Sequence, residues 1–511
     1  MGGATLLSRI FGFIRDMIVA QFFGAGMATD AFFVAFRIPN LLRRLVGEGA
    51  LTASFIPVYT EYLAQRPPEE GRDLVRAAFS VLAVFLLALT GLGILLAPGI
   101  VKVMAYGFSQ DPEKLGLTVF LTRLMFPYIF FIGLVALAMG VLNSWKHFFA
   151  PALAPVLLNL SIILCVLIFY PFLTEPILAL ALGVLLGGIA QLVFQWPFLR
   201  RKGIVFGFRF QPGHPGVKRI AVLMAPSVLG LAVTQLNVLV STFLASYLPE
   251  GSVSYLYYAD RLLEFPMGVF AIAVATAVLP VMSEQAARND WIHLRETLSF
   301  ALRLVFFVTL PAMMGLIVLR QPILNLLFQR GAFTAHSAEM TAQALLYYSL
   351  GLVGFAGVRI IVPAFYSLQD TKTPVKIACA ALVANAVLGA LLMRPLQHGG
   401  LALATSLAAG LNFALLLFLL RKKMGKIGLG KTVPSFLKSL GASFVMGAAA
   451  LIISLQGEWQ EAGATPEKIG LLGGAIVAAI AVYGVASYFL GSEELRLVLA
   501  GVKKRVKVLK R

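Results

Sequence analysis

One apolar run after another, each long enough to cross a bilayer, fills the chain with only short polar interruptions. A helix that crosses the hydrocarbon core needs about 20 mostly apolar residues. In lipid the backbone N–H and C=O groups must be bonded internally, which leaves helices or the alternating strands of a closed barrel. These runs do not alternate. Fourteen are read, at residues 4–24, 28–63, 75–104, 117–142, 149–170, 176–199, 219–248, 253–283, 298–327, 338–367, 374–393, 400–420, 434–455 and 468–490. Composition fits: 59% of 511 residues are hydrophobic and 13% charged, well away from a soluble average. The expected fold is an all-α integral membrane protein of about 14 transmembrane helices. The second run is too long for one straight crossing and contains Pro39 and Gly47-Glu48-Gly49, so it is expected to be bent or interrupted.

The formal charge of +19 could suit nucleic acid, but the basic residues cluster at the ends of apolar runs. Membrane orientation accounts for them, and no nucleic-acid partner is expected. Arg200, Arg201, Lys202, Arg209, Lys218 and Arg219 follow run six. Arg421, Lys422, Lys423, Lys426 and Lys431 follow run twelve, and Lys503, Lys504, Arg505, Lys507, Lys510 and Arg511 end the chain. Glu250 and the group Glu458, Glu461 and Glu467 follow odd-numbered runs. Both termini are therefore expected in the cytoplasm, with Arg201 and the basic tail beyond Ser492 also meeting anionic lipid. Cys165 and Cys379 lie in apolar runs without metal or redox spacing and read as small core residues. Arg9, Arg15 and Asp16 interrupt the first run, which is not read as a cleavable secretory signal. With five histidines, no H-E-x-x-H, no P-loop and no nucleophile near a base, the chain reads as a transporter, with no catalytic residue, metal or cofactor.

Adding 223 to a position exposes an internal repeat. Pro57 falls on Pro280, Glu61 on Glu284, Ser144 on Ser367 and Pro151 on Pro374, and Leu178-Ala179-Leu180-Ala181 falls on Leu401-Ala402-Leu403-Ala404. Two six-helix lobes follow, at residues 1–202 and 219–423, joined by a basic cytoplasmic loop at 203–218. Because six is even, both lobes enter the bilayer from one side. They are expected to form a parallel pseudo-twofold repeat, with a substrate site between them near mid-membrane. Two extra helices at 424–490 and a basic tail at 491–511 lie outside the repeat. Gly470 and Gly474 have the G-x-x-x-G spacing that lets a second helix approach.

Charge inside the apolar runs is the chemical signal. Arg9, Arg15 and Asp16 lie in run one, Asp30, Arg37, Arg43, Arg44 and Glu48 in run two, and Asp260, Arg261 and Glu264 in run eight. At about 2.5 to 3.5 kcal/mol for each central charge, four arginines alone would cost about 10 kcal/mol. They must face water, a partner or a substrate. Seven-residue spacing puts Arg9 with Asp16, and Asp30 with Arg37 and Arg44, on shared helix faces. A guanidinium stays charged and grips phosphate oxygens in a fork, whereas lysine is a point charge that loses its proton more readily when buried. A buried arginine cluster thus suits a phosphate or diphosphate. Ion pairing with Asp16, Asp30, Glu48, Asp260 and Glu264 is the structural alternative.

Several motifs also carry a family resemblance. Ser8-Arg9-Ile10-Phe11-Gly12-Phe13-Ile14-Arg15-Asp16, Gly24-Ala25-Gly26, Thr29-Asp30-Ala31-Phe32, Pro39-Asn40-Leu41-Leu42-Arg43-Arg44 and Glu48-Gly49-Ala50 resemble the opening of the MurJ (MviN) lipid II flippases. Tyr257-Tyr258-Ala259-Asp260-Arg261-Leu262 with Glu264-Phe265-Pro266, and Gln369-Asp370-Thr371-Lys372-Thr373-Pro374-Val375-Lys376, resemble later parts of the same family. The resemblance implies the multidrug/oligosaccharidyl-lipid/polysaccharide exporter fold with a cationic central cavity. It implies Arg9, Arg15, Arg43 and Arg261 as substrate residues, Asp30 and Glu48 as helpers, and Ser8, Arg44, Asp260 and Glu264 beside them. Only one of the adjacent Arg43 and Arg44 is expected to point inward. The implied partner is lipid II, the undecaprenyl-diphosphate-linked disaccharide peptide, together with membrane lipids and other cell-wall synthesis proteins. The implied place is the bacterial cytoplasmic membrane, with the last two helices forming a groove for the lipid tail. Coupling would come from membrane potential or a monovalent cation, Na+ or H+, for which Gln235, Asn237, Asn385 and Thr405 offer oxygen ligands; helix-to-helix hydrogen bonding is their ordinary use. A flippase for another polyprenyl-diphosphate oligosaccharide such as an O-antigen unit would use the same physics. A cation or drug antiporter would want acidic cavity residues, a scaffold would not need buried arginines, and a glycosyltransferase should show a catalytic carboxylate in an outer loop.

Overall fold

The computed structural model describes residues 2–43, 51–463 and 465–500. Among them there is helix but no strand. The chain clusters into two compact units, Met1–Ser254 and Tyr255–Arg511.

The first unit holds α1 (Gly2–Phe23), α2 (Met27–Leu42), α3 (Thr52–Gln65), α4 (Pro68–Met104), α5 (Pro112–Met125), α6 (Tyr128–Ser144), α7 (Phe149–Phe169), α8 (Leu178–Arg201) and α9 (Pro215–Ala245). The long second run holds α2 and α3, and its expected break at Gly47-Glu48-Gly49 lies outside the described residues. The starts of α4 and α5 follow local chemistry: Pro68 and Pro112 sit in first turns where no N–H is missed, and Asp111 accepts from the N–H groups of Glu113 and Lys114 at 3.0 and 3.1 Å. Helix α6 packs on α3, α4 and α8, and α7 on α1 and α8. Close packing of α7 on α8 needs glycine, because a Cβ on Gly183 would lie 2.6 Å from Ile162 Cα and one on Gly187 would lie 2.7 Å from Leu158 Cδ1. Helix α9, the counterpart of α1 under the shift of 223, packs here on α3 and α4.

The second unit follows the start of α10 (Ser252–Pro266) and holds α11 (Ile272–Ala287), α12 (Trp291–Val318), α13 (Arg320–Leu327), α14 (Ala335–Leu350), α15 (Leu352–Ser367), α16 (Lys372–Met424), α17 (Leu429–Ser454) and α18 (Pro466–Phe489). Helix limits repeat with the shift of 223. The starts of α4, α5 and α7 fall on those of α12, α14 and α16, and the ends of α6 and α8 fall on those of α15 and α16. Packing repeats too, since α15 rests on α11, α12 and α16. Helix α16 contains two crossings' worth of chain, divided at Gln397, where φ is 49°.

By length and composition eight helices among the described residues can cross a membrane, or nine if α14 and α15, bent by 42°, form one span. The expected fourteen include segments outside that set, among them α1, whose Arg9, Arg15 and Asp16 depress its apolar character.

Two expectations need correction. Cys379 is exposed while Cys165 is buried, because Cys379 lies on a face of α16 turned away from its neighbours. Gly470 and Gly474 have no atom within 4 Å of an added Cβ, so neither marks a close helix contact. Helix α18 instead turns Leu472, Ala475, Ala479 and Tyr483 inward onto α12 and α17, with the Tyr483 hydroxyl donating to the Phe307 carbonyl at 2.6 Å.

A reciprocal carboxylate clasp joins α2 to the start of α10. The Glu250 carboxylate accepts from the N–H of Met27, the first residue of α2. Asp30, in the first turn of α2, accepts in return from the N–H groups of Gly251 and Ser254 at 2.8 and 2.9 Å and from the Ser254 hydroxyl at 2.7 Å. Lys114 of α5 closes the set at 2.9 Å, with Asp30 at 1% exposure and Lys114 at 7%. Two helix N-termini, each carrying partial positive charge, thus share two carboxylates. A third carboxylate works in a loop. Asp370 accepts from the Thr373 N–H at 3.0 Å, from its hydroxyl at 2.8 Å and from Lys423 at 2.9 Å, tying the two ends of α16 together. The Thr373 N–H first, and Lys423 next, hold its carboxyl down at about 2.

Asp30→Asn should leave Lys114 without its counter-charge and lower stability by about 3 to 5 kcal/mol. Adding Lys114→Met should recover part of that loss in detergent melting curves; an unshifted Asp30→Asn melt would contradict the clasp. For Asp370 the folded-state value lies below the ordinary carboxyl value of 3.8, so its stabilisation is present above the ordinary value and lost as pH falls through about 2. The melting temperatures of wild type and Asp370→Asn should therefore differ at neutral pH and converge as pH approaches that lower value.

Candidate functional site

Helix α1 carries Ser8, Arg9, Arg15 and Asp16 in one apolar stretch. Arg15 is buried, and its Nε and Nη2 donate to the adjacent Asp16 carboxylate at 3.0 and 2.6 Å. Its Nη1 donates to the Asn159 amide oxygen of α7 at 3.0 Å, and Asn159 Nδ2 donates to the Ser8 carbonyl at 3.3 Å. These bonds staple α1 to α7. Arg9 is different. It is half-buried on the same helix and, among the described residues, makes no hydrogen bond or ion pair.

On α2, Arg37 Nη1 donates to the Thr242 hydroxyl of α9. Arg43, one residue past the helix, sends Nε and Nη2 to the Asn40 amide oxygen at 3.0 and 2.9 Å, which fixes the direction of its guanidinium. Asp30 is committed to the clasp. Arg44 and Glu48 lie outside the described residues. Helices α1 and α2 with the adjoining Arg43 thus carry four arginines against Asp16 and Asp30, of which one neutralises Arg15 and the other Lys114.

In the second unit, Arg261 Nη1 donates to Glu264 at 2.8 Å, three residues along α10, and Asp260 is exposed. Gln235 and Asn237 are half-buried on α9 in the first unit. Asn385 is buried and accepts from the Thr405 hydroxyl at 3.3 Å, joining the two halves of α16. Among the described residues no group of three His, Cys, Asp or Glu is placed to hold a metal.

Sequence reasoning passed over Asn159, Lys114, Glu250 and Asn40, which set the roles of their charged neighbours. The signal for Asn159 was present, since an amide in an otherwise apolar α7 has to find a partner. Lys114 stood just outside the expected limit of its run, and nothing local in sequence pairs it with Asp30.

Chemically, the first unit combines buried, internally neutralised charges with the guanidinium of Arg9, which has no partner among the described residues. Such a group can bind phosphate oxygens by a charge-assisted fork. The family model described as lipid II flippase MurJ matches residues 19–465. A probable lipid II flippase MurJ of Vibrio cholerae is 42% identical over 419 residues, covering 81% of this chain and 80% of the relative. The lipid II flippase MurJ of Burkholderia cenocepacia is 38% identical over 492 residues, covering 94% and 95%. The fold is similar to a solved lipid II flippase MurJ in an inward closed conformation, with TM-score 0.80, 29% identity and coverage of 96% and 98%. An inward-facing MATE transporter of the MOP superfamily shares the fold at TM-score 0.70 and 15% identity. The chain is a multi-pass membrane protein that belongs to the lipid II flippase MurJ family.

Proposed function

We propose that the chain moves lipid II from the cytoplasmic to the outer leaflet of the bacterial cytoplasmic membrane by alternating access, without covalent chemistry. Arg9 supports this reading most. A guanidinium in an apolar helix with no partner among the described residues suits an anion that arrives and leaves. Arg15 acts on the same helix as a positioning residue, because Asp16 and Asn159 already occupy its donors. The full reading has fourteen crossings, both termini in the cytoplasm, and the lipid tail against α17 and α18.

Membrane potential is our reading of the coupling. An inside-negative potential favours outward movement of an anion by about 2.3 kcal/mol per charge per 100 mV. The Thr405 hydroxyl donates to the Leu401 carbonyl at 2.9 Å and to the Asn385 amide oxygen at 3.3 Å, which favours a structural role over a cation site.

The test is a proteoliposome assay that scores labelled lipid II on the far leaflet for wild type, Arg9→Ala, Arg9→Lys, Arg43→Ala and Arg261→Ala. Loss of one charged partner should cost about 1.5 to 3 kcal/mol, or about tenfold to a hundredfold in transport. Arg9→Lys should also be impaired because it keeps the charge without the fork. Wild-type transport by Arg9→Ala would overturn the arginine reading. Equal transport of a different undecaprenyl-diphosphate oligosaccharide would widen the substrate, and equal transport of a diphosphate-free analogue would contradict it.

A further inference from the structure

We infer that the segment 204–210, between α8 and α9, is a strap that seats Phe208 and Phe210 in the headgroup region of an anionic leaflet. The segment has no regular secondary structure and lies against α4. Phe206 stacks on Phe79 with centroids 4.5 Å apart and planes within 8°, and meets Trp196 edge-on at 5.6 Å. The Ser80 hydroxyl accepts from the Arg209 N–H at 2.6 Å, and the Arg209 guanidinium pairs with Asp73 at 2.5 Å. Anchored in this way, the strap turns Phe208 outward at 75% exposure and Phe210 and Val205 at 49% each.

A loop held at these points with this apolar face is poorly suited to bulk water. The end of α8 supplies the rest of the argument. Arg200 lies over Trp196 at 5.3 Å, Arg201 over Phe198 at 5.9 Å and Lys202 over Trp145 at 5.4 Å. Aromatic rings that carry cations on their faces are the composition of a membrane–water boundary, where rings sit at headgroup level and cations meet lipid phosphates. The charge of this rim selects the occupant: an anionic phospholipid surface rather than a neutral one. Seated there, the strap would hold the start of α9 at a fixed depth. This holds whatever the transported substrate is.

The test uses the full chain with Cys165→Ala and Cys379→Ser, carrying Phe208→Cys labelled with an environment-sensitive fluorophore. Gly213→Cys, at an exposed turn of the same loop, serves as the aqueous control. Vesicles are phosphatidylcholine with or without phosphatidylglycerol. The probe at 208 should be quenched by lipid bearing a shallow spin label and be several-fold less sensitive to aqueous iodide than the probe at 213. Phosphatidylglycerol should strengthen both effects, and R200Q/R201Q/K202Q should remove that strengthening. Equal iodide quenching at 208 and 213 would overturn the strap. Protection from iodide without quenching by labelled lipid would mean a protein covers it, which also overturns the proposal. Insensitivity to phosphatidylglycerol would remove the anionic leaflet as occupant. Melting curves of the labelled variants show that the fold is retained.

Discussion

A charged side chain inside an apolar helix must find a partner, and the first unit is organised around that requirement. Asp30 meets it by gathering Lys114 and two backbone N–H groups at the start of α10, while Glu250, exposed in the loop before α10, accepts from the N–H of Met27 at the start of α2. Met27 and Glu250 are separated by 223 residues, the repeat shift itself, so the clasp joins equivalent points of the two repeats. Arg15 meets the requirement through Asp16 and Asn159, which fixes α1 against α7. Removing one member of such a set leaves an uncompensated buried charge, which makes these contacts structural.

Arg9 differs in chemistry from these staples, since it has no partner among the described residues. A guanidinium without a partner suits an incoming diphosphate better than a lysine would, because it keeps its charge when buried and offers a fork of donors. Family membership and the geometry of the residues thus support the same substrate chemistry from separate directions.

The repeat was legible in sequence because matching residues keep one shift, Ser144 and Ser367 at the ends of α6 and α15 and Pro57 and Pro280 inside α3 and α11. The same shift relates the helix limits in the structure. The presence of buried charge was equally legible. Which arginine is a staple was not, since that depends on neighbours distant in sequence, such as Asn159 for Arg15 and Lys114 for Asp30. Glycine spacing had the same weakness. Gly470 and Gly474 form the recognisable motif and touch nothing, while Gly183 and Gly187 make the close contact, because spacing records a helix face but not what lies opposite. The packing of α9 on α3 and α4 was also invisible, for an apolar run carries no address for its neighbours.

The central claim is that Arg9 serves the substrate and Arg15 serves the fold. The direct measurement compares Arg9→Ala and Arg15→Ala in detergent, recording lipid II affinity and melting temperature for each. Arg9→Ala should keep the wild-type melting temperature and lose about tenfold or more in affinity, the scale of one charge-assisted hydrogen bond. Arg15→Ala should melt earlier, because Asp16 is left buried without its partner. If Arg9→Ala instead binds lipid II normally while its stability collapses, Arg9 is a structural charge and the account is wrong.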